Sequence, residues 1–329
     1  MKFIFSFLLL IVTLTSYSQL TVTSGLTPNQ YVDALVGSGV TYSNVTYSGD
    51  ANAIGIFSTG STPTNLGLDS GLIMSSGYVN GITPIGSPVS NFCSEMTSGA
   101  STDPQLMALI PGYTINDAAI LEFDFIPESD TISFAYVFGS EEYPEWVGSS
   151  FNDVFGFFVS GPNPGGGNYT NYNIARLPGG LPVTIDNVNS GSNSTYYVNN
   201  EGLNGQTIVY DGFTVVLTAW LVVTPCVQYH IKLGVADAGD QSYDSGVFLK
   251  ANSFSSPTIT ASTQYVNDTV IGNFAMEAGC NDAILCFSLA NPAASNFWVN
   301  YQMTGSATNG VDFPAIPDSL LIPAGSDSS

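Results

Sequence analysis

The sequence has very little positive charge and few charged residues of any kind. Its 329 residues include only 4 Lys and Arg against 26 Asp and Glu, which gives a formal net charge of −22. Because phosphate backbones are bound by clustered Lys and Arg side chains, nucleic acid is excluded as an expected partner. The 44% hydrophobic content supplies enough apolar surface for a large core, so a disordered chain is not expected.

Familiar catalytic motifs are also missing. The sequence has no Gly-x-Ser-x-Gly elbow, no phosphate-binding loop and no His-Glu-x-x-His helix. The single histidine, His230, falls on the polar face of a predicted strand, which is typical of a solvated residue. Glu141, Glu142 and Glu145 offer the carboxylates of a glycoside hydrolase, but if the preceding strand continues through them, Glu141 and Glu142 point to opposite faces and make a poor pair. We predict that the protein is not an enzyme.

Long apolar runs are confined to the N-terminus. Lys2 is followed by an apolar stretch to Val12 and by small residues up to Ser18, the pattern of a signal peptide over residues 1–18 that is cleaved near Ser18. The next most apolar run, residues 213–223, is too short and too rich in Thr to span a bilayer, and we predict it to be a central strand of a packed sheet. The sequence therefore predicts a secreted or cell-surface protein with no membrane span in the mature part.

Cysteines are few and even in number. Cys93, Cys226, Cys280 and Cys286 form no Cys-x-x-Cys pair, and an even count in an exported chain favours disulfides over a zinc site. Of the three possible pairings we favour Cys93 with Cys226 and Cys280 with Cys286, since each pair then stays within one domain.

Two short segments carry helix signals. Residues 26–37 have Thr27 as N-cap, Pro28 at the first helical position, Gln30 to complete a capping box and Gly37 as a stop. Residues 103–109 are a second candidate.

Most of the chain alternates apolar and polar residues, as strands do. Residues 121–125 and 132–138, separated by a turn at 127–130, are predicted to form a hairpin with aromatic side chains on one face. Many strands with few helices favour an all-β fold: a β-sandwich or jelly roll with one or two short helices. The other predicted strands are residues 154–159, 207–210, 213–223, 227–235 and 246–254.

A change of pattern near residue 255 divides the chain. We predict a main β domain over residues 19–254, a linker at 255–257, and a partial Ig-like β domain over 258–329. The last residues include neither a closing strand nor a sorting signal, so we expect the chain to be a fragment of a longer protein.

Acidic residues cluster in two segments that directly follow predicted strands. Carboxylates crowded at strand ends repel one another unless a cation binds, and their hard oxygen atoms suit calcium, which takes about 6 to 8 such ligands. Solvated acidic loops are the alternative. The candidate calcium ligands are Glu141, Glu142, Asp153, Asp237, Asp240 and Asp244.

Aromatic residues occur in loops rich in Asn, Gly and Ser. Such side chains stack on sugar rings or contact a protein partner, although burial at the end of a sandwich is the other interpretation. These residues are Tyr143, Trp146, Tyr169, Tyr172, Tyr196 and Tyr197.

Four blocks of sequence together resemble the choice-of-anchor L domain, over about residues 26–254. They are AILEFDF at 119–125, YVFGSEEY at 136–143, NDVFGFF at 152–158, and ADAGD with DSGVFL at 236–249. The resemblance implies a bacterial surface or secreted protein of no established biochemical activity, attached through an anchor further along the chain.

The C-terminal part is similar to a Calx-beta repeat, through residues 300–313 and 320–325. That resemblance implies calcium binding by acidic residues, with Glu277 and Asp312 as candidates. The Ser-Tyr-Ser sequence before Gln19 and the Asn/Thr/Gly-rich style resemble exported Bacteroidetes proteins, which implies type IX secretion.

The sequence therefore predicts a non-enzymatic extracellular module that is adhesive or ligand-binding and calcium-stabilised, with a protein or a glycan as its unknown ligand. The alternative is a carbohydrate-binding or carbohydrate-cleaving jelly roll.

Overall fold

The structure, a computed structural model, describes residues 20–60, 64–256, 259–265, 283–289, 296–306 and 308–329. The predicted signal peptide lies outside these residues, as do Glu277 and Cys280. No helix in the described segments is long and apolar enough to cross a membrane.

The elements are β1 (Thr21–Thr23), α1 (Pro28–Leu35), β2 (Val40–Ser48), β3 (Ile54–Ser58), β4 (Ser70–Ser75), α2 (Pro104–Leu109), β5 (Ile115–Pro127), β6 (Thr131–Ser140), β7 (Val154–Pro162), β8 (Asn168–Asn173), β9 (Tyr197–Asn199), β10 (Gly212–Thr214), β11 (Leu217–Val222), β12 (Tyr229–Ala238), β13 (Ser245–Lys250), β14 (Ile259–Tyr265), β15 (Ala283–Leu289), β16 (Phe297–Asn300) and β17 (Ser319–Ile322).

Both predicted helices are confirmed, because their capping residues act as the sequence suggests. At the start of α1, the Gln30 amide donates to the Thr27 side chain, and the Thr27 amide donates to Gln30 Oε1 at 2.9 Å. This capping box satisfies amide groups that no helical carbonyl can reach. The α2 helix is capped by Asp103, whose side chain accepts from the amides of Gln105 and Leu106.

The main fold is a β-sandwich, as predicted. An eight-stranded sheet has the order β1-β3-β4-β13-β6-β10-β9, with β11 also paired to β6, and a five-stranded sheet has the order β2-β5-β12-β7-β8. Aromatic side chains from the two sheets meet in the core. The rings of Phe134 and Phe157 lie 4.8 Å apart, and those of Phe138 and Phe155 lie 5.0 Å apart. Contacts between facing sheets at this distance are those of packed sandwich interiors.

The predicted hairpin of residues 121–125 with 132–138 is wrong. Strand β5 pairs with β2 and β12 in the five-stranded sheet, whereas β6 pairs with β10, β11 and β13 in the other sheet. The turn after Pro127 therefore carries the chain from one sheet to the other. Phe123 and Phe134 are both fully buried, because the apolar faces of the two strands face each other across the core and do not lie side by side.

The predicted central strand at 213–223 is also wrong. This segment forms the short β10 and then β11, and within the described residues β11 pairs only with β6. Its residues alternate between buried and exposed, and Trp220 is 62% exposed. A strand with one solvated face reads as apolar in sequence when its outer positions carry Trp and Val. The predicted strand at 207–210 is absent too, since these buried residues have an irregular backbone.

The start of the predicted linker belongs to the sandwich. Ser255 exchanges backbone hydrogen bonds with Ser133, and the Ser256 amide donates to the Ser38 carbonyl at 3.1 Å. Ser256 is fully buried. Beyond residue 258, β14 pairs with β15 and β16 pairs with β17, around a small separate cluster of Phe287, Leu289, Val299 and Ile322.

Candidate functional site

Six strands of the sandwich begin or end at the same place, and this topology brings the two acidic segments together. In the eight-stranded sheet, the last residues of β4 and β6 pair with the first residues of β13. In the five-stranded sheet, the last residues of β12 pair with the first residues of β5 and β7. Loops attached to these ends therefore meet, even when they are far apart in the chain.

Five of the six predicted calcium ligands lie at this end with at most 1% of their surface exposed, namely Glu141, Glu142, Asp153, Asp237 and Asp244. We call them the acidic cluster. The sixth, Asp240, is exposed at the tip of its loop, where its side chain accepts from the Ser242 amide. Full burial was not predicted, because each residue alone has the signature of a solvated loop.

Four members of the cluster have protein hydrogen bonds, the longest being the one that Glu142 Oε2 accepts from the Asp153 amide at 3.5 Å. Asp153 accepts from the Ala238 amide at 2.8 Å and from the Ser245 hydroxyl at 2.6 Å. Both oxygens of Asp244 accept from the Glu95 amide, at 3.1 and 3.0 Å. Glu141 accepts from the Cys93 amide at 3.4 Å and from the Cys93 thiol at 3.3 Å. Most donors are backbone groups or hydroxyls that position a carboxylate without neutralising its charge.

Asp237 is different. Neither of its carboxylate oxygens has a hydrogen-bond partner, although the residue is 1% exposed. One oxygen each of Asp117 and Glu95 is likewise buried without a partner. Leaving such groups unpaired costs free energy, so buried orphan atoms point to a missing ligand or proton. The sequence prediction missed Asp117 and Glu95, yet Asp117 stands near the start of β5 just as Asp153 stands before β7.

Burial and mutual repulsion raise the pKa of every member of the cluster. Burial is the largest cause throughout, and it raises the pKa of Asp153 to about 7, of Asp244 to about 8, of Glu141 to about 9 and of Glu142 to about 10. The pKa of Asp237 also lies well above its usual range, from burial and then from the charges of Asp153 and Asp244.

No basic side chain offsets this charge within the described part of the chain. The ion pairs found there join Lys232 to Asp103 and His230 to Glu122 and Asp124, all away from the cluster. In these segments no group of three or more His, Cys, Asp or Glu side chains is already arranged to hold a metal ion. The cluster is thus an assembly of mutually repelling carboxylates without a counter-charge.

Glu141 and Glu142 lie in a turn just after β6 ends at Ser140, so the strand alternation expected of them does not apply, but they have different neighbours. Glu141 contacts Cys93, whereas the Asp153 amide lies 3.5 Å from Glu142 Oε2. His230, the only histidine, sits on the outer face of the five-stranded sheet, between Asp124 at 2.8 Å and Glu122 at 3.0 Å. It is therefore held by two carboxylates of the neighbouring strand and does not reach the cluster.

The predicted disulfide between Cys93 and Cys226 is wrong, since both are free thiols. Cys93 is buried beside Glu141 at the cluster end of the sandwich. The Cys226 amide donates to the Pro127 carbonyl at the other end of the 13-residue strand β5. A strand of that length spans about 40 Å at roughly 3.3 Å per residue, whereas bonded cysteines need Cα atoms within about 7 Å. Cys286 is a half-buried free thiol, and its predicted partner Cys280 is not among the described residues.

The loop aromatics divide into buried and exposed groups. Tyr143 is fully buried and donates to the Val188 carbonyl at 2.6 Å, so it serves the core. Trp146 packs edge-on against Phe151. Tyr172, by contrast, is 40% exposed, and its ring lies 5.4 Å from that of Tyr169 on β8.

The family model of the choice-of-anchor L domain matches residues 20–255, which is the whole sandwich including Ser255. A search of curated proteins finds no match. This family is a surface-anchor domain of cell-surface or secreted proteins, and it is neither an enzyme family nor a nucleic-acid-binding one. With about three quarters of its length covered by the family model, the chain belongs to the choice-of-anchor L domain family.

Proposed function

We propose that this protein is a non-enzymatic extracellular module, adhesive or ligand-binding, whose sandwich is stabilised by calcium held in the acidic cluster. The observation that carries the metal proposal is Asp237, a buried carboxylate with both oxygens unpartnered. Family membership supports the extracellular setting, where calcium is abundant.

A divalent cation would compensate the charge of these carboxylates when they are ionised. Removing a carboxylate from water costs several kcal/mol unless a partner compensates it, and five such groups share this end of the sandwich. Calcium accepts carboxylate oxygens in flexible geometry. Asp153, Asp237 and Asp244 are the central candidates, because Asp153 and Asp244 are the charges that act most strongly on Asp237. We expect calcium to draw together side chains that repel one another in its absence.

Calorimetric titration of the chelator-treated protein with calcium tests the proposal. We expect Asp237→Asn to weaken binding by about tenfold or more, because affinity follows the number of charged ligands. Asp69→Asn is the matched control, since Asp69 is exposed and the same charge is removed.

Thermal unfolding separates a ligand role from a merely structural one. In chelator, Asp237→Asn should be at least as stable as the wild type, since it removes a buried ionisable group. In calcium, the wild type should be the more stable of the two. No heat of binding together with an unchanged melting temperature would refute the calcium proposal.

Three further parts of the proposal concern the rest of the chain. The region after residue 258 is proposed as a Calx-beta-like β domain, which its separate apolar cluster supports. Bacteroidetes origin and type IX export are proposed from the sequence style alone. Protease treatment of intact producing cells tests surface exposure, since a surface module is degraded while an internal one is protected.

A carbohydrate-binding role is the second candidate. The observation that favours it is the exposed Tyr172, which lies beside the only Arg in the sequence. Loss of polysaccharide hydrolysis on Glu141→Gln or Glu142→Gln would instead establish an enzyme.

A further inference from the structure

A shallow groove lies on the outer face of the five-stranded sheet. It lies between α2 and the strands β7 and β8, is open to solvent and has a volume of about 360 Å³, within the range of small-molecule sites. Its lining shares no residue with the acidic cluster. The lining residues are Pro104, Gln105, Ala108, Leu109, Phe158, Asn171, Asn173 and Arg176.

Each side-chain amide oxygen of the groove already accepts a hydrogen bond. Gln105 Oε1 accepts from Lys232 Nζ at 2.7 Å, and Asn171 Oδ1 accepts from the Ser160 hydroxyl at 3.2 Å. Asn173 Oδ1 accepts from the amides of Phe157 and Ala175, both at 3.0 Å. Each of these amide oxygens therefore already accepts at least one hydrogen bond, and that of Asn173 accepts two.

Several side-chain donors of the groove, in contrast, have no hydrogen-bond partner among the described residues. They are Gln105 Nε2, Asn171 Nδ2 and the guanidinium of Arg176. A lining with three donor groups that lack a partner, and with every amide oxygen already in at least one hydrogen bond, favours a ligand that mainly accepts hydrogen bonds. Ionised oxyanions are such ligands.

The charge of the lining also favours an anionic ligand. No carboxylate lines the groove, although the sequence has 26 acidic residues and Arg176 is its only arginine. The guanidinium lies 4.6 Å above the centre of the Tyr172 ring. This contact with the ring holds the guanidinium near the groove, and its N–H groups can form a bidentate bond to a planar oxyanion.

We propose that this groove binds an acidic saccharide, with the carboxylate of a uronic acid on Arg176. The remaining lining is apolar and comes from Leu109, Phe158 and their neighbours, which suits the C–H face of a sugar ring. Gln105 and Asn171 supply amide donors to the ring oxygens. The proposal rests on the carbohydrate-binding candidate given above and does not depend on calcium binding.

Calorimetry with trigalacturonate tests the proposal on the full chain, in calcium and in chelator. The methyl ester of trigalacturonate is the matched ligand, since it keeps the sugar rings and removes the charge. We expect the acid to bind at least about tenfold more tightly than the ester, as a charge-assisted hydrogen-bond pair contributes roughly that factor or more. Binding of trigalacturonate in chelator as well as in calcium would separate this site from the acidic cluster.

Two variants that each remove one positive charge test whether Arg176 binds the ligand. Arg176→Gln should weaken trigalacturonate binding by about ten- to a hundredfold, while Lys250→Gln, which removes one positive charge from an exposed position on β13, should leave it unchanged. Arg176→Lys keeps the positive charge but loses the two parallel N–H donors of the guanidinium, so its affinity should lie between those of the other two variants. An unchanged melting temperature of Arg176→Gln shows that the fold is retained.

Three results would overturn the proposal. They are equal affinity for the acid and the ester, equal affinity of the Arg176→Gln and Lys250→Gln variants, and stronger binding of a sulfated sugar or of a peptide carboxylate than of trigalacturonate. The last result keeps the oxyanion chemistry but rejects the uronic acid.

Discussion

The stability of the calcium-free protein should fall as the pH rises, which is the reverse of the usual behaviour of carboxylates in ion pairs. The reason is Asp153, whose pKa is raised by burial from 3.8 to about 7 in the folded protein. Below about pH 4 this group is protonated in both the folded and the unfolded chain. Above pH 4 the unfolded chain releases the proton more readily, so stability is lost until the pH passes the folded pKa near 7.

The magnitude follows from the same two pKa values. At about 1.4 kcal/mol for each pH unit, the free energy of unfolding should decrease between pH 5 and pH 8 by on the order of 3 kcal/mol from Asp153 alone. For a domain of this size, that loss lowers the melting temperature by roughly 6 to 12 °C. The raised pKa values of Asp237 and Asp244 act in the same direction.

Thermal unfolding followed by circular dichroism, in chelator at several pH values from 5 to 8, measures the effect. Asp153→Asn is the informative variant, because the amide oxygen can accept from Ala238 and the amide nitrogen can donate to the Ser245 oxygen, so the local geometry is kept. Its slope with pH should be shallower than that of the wild type. Added calcium should stabilise the wild type most at pH 8, where the carboxylates are ionised. A melting temperature of the chelated wild type that stays constant or rises from pH 5 to pH 8 would refute the reasoning.

Two predictions concern the rest of the sandwich. Phe254 is fully buried and its ring lies between 5.1 and 5.4 Å from those of Phe123, Phe125 and Phe134, so Phe254→Ala should lower the free energy of unfolding in urea by about 3 to 5 kcal/mol, and a loss under about 1 kcal/mol would contradict the packing described. Among the thiols, Cys226 should react with an alkylating reagent in the folded protein while the buried Cys93 reacts only after unfolding, and a disulfide-linked peptide in mass spectrometry would contradict the separation of the two residues.

Local structure was predicted well where a few adjacent residues decide it. Thr27, Pro28 and Gln30 form the capping box that the sequence indicates, because every hydrogen bond involved joins residues within one turn. Asp103 caps α2 for the same reason. The all-β class was also predicted, since the alternation of apolar and polar residues directly reflects the two faces of a strand.

Pairing between strands was predicted less well. The turn at 127–130 is compatible with a hairpin and with a crossing between sheets, and the sequence pattern is the same for both. Phe123 and Phe134 need a common core in either case, and only the packing of the two sheets decides that they approach face to face. The break between β10 and β11 and the exposure of Trp220 depend likewise on neighbours that are remote in the chain.

The sequence alone determined that the chain is rich in strands, that it belongs outside the cell by its resemblance, and that its acidic residues gather after strands. Tertiary structure decided that Glu141 and Asp237, almost a hundred residues apart, lie in one buried cluster, and that Asp240 remains in solvent. The physical reason is that burial and repulsion depend on distances in space, which the order of strands in the two sheets sets. The same order placed Cys93 and Cys226 at opposite ends of β5, and it set Arg176 in a groove without carboxylates.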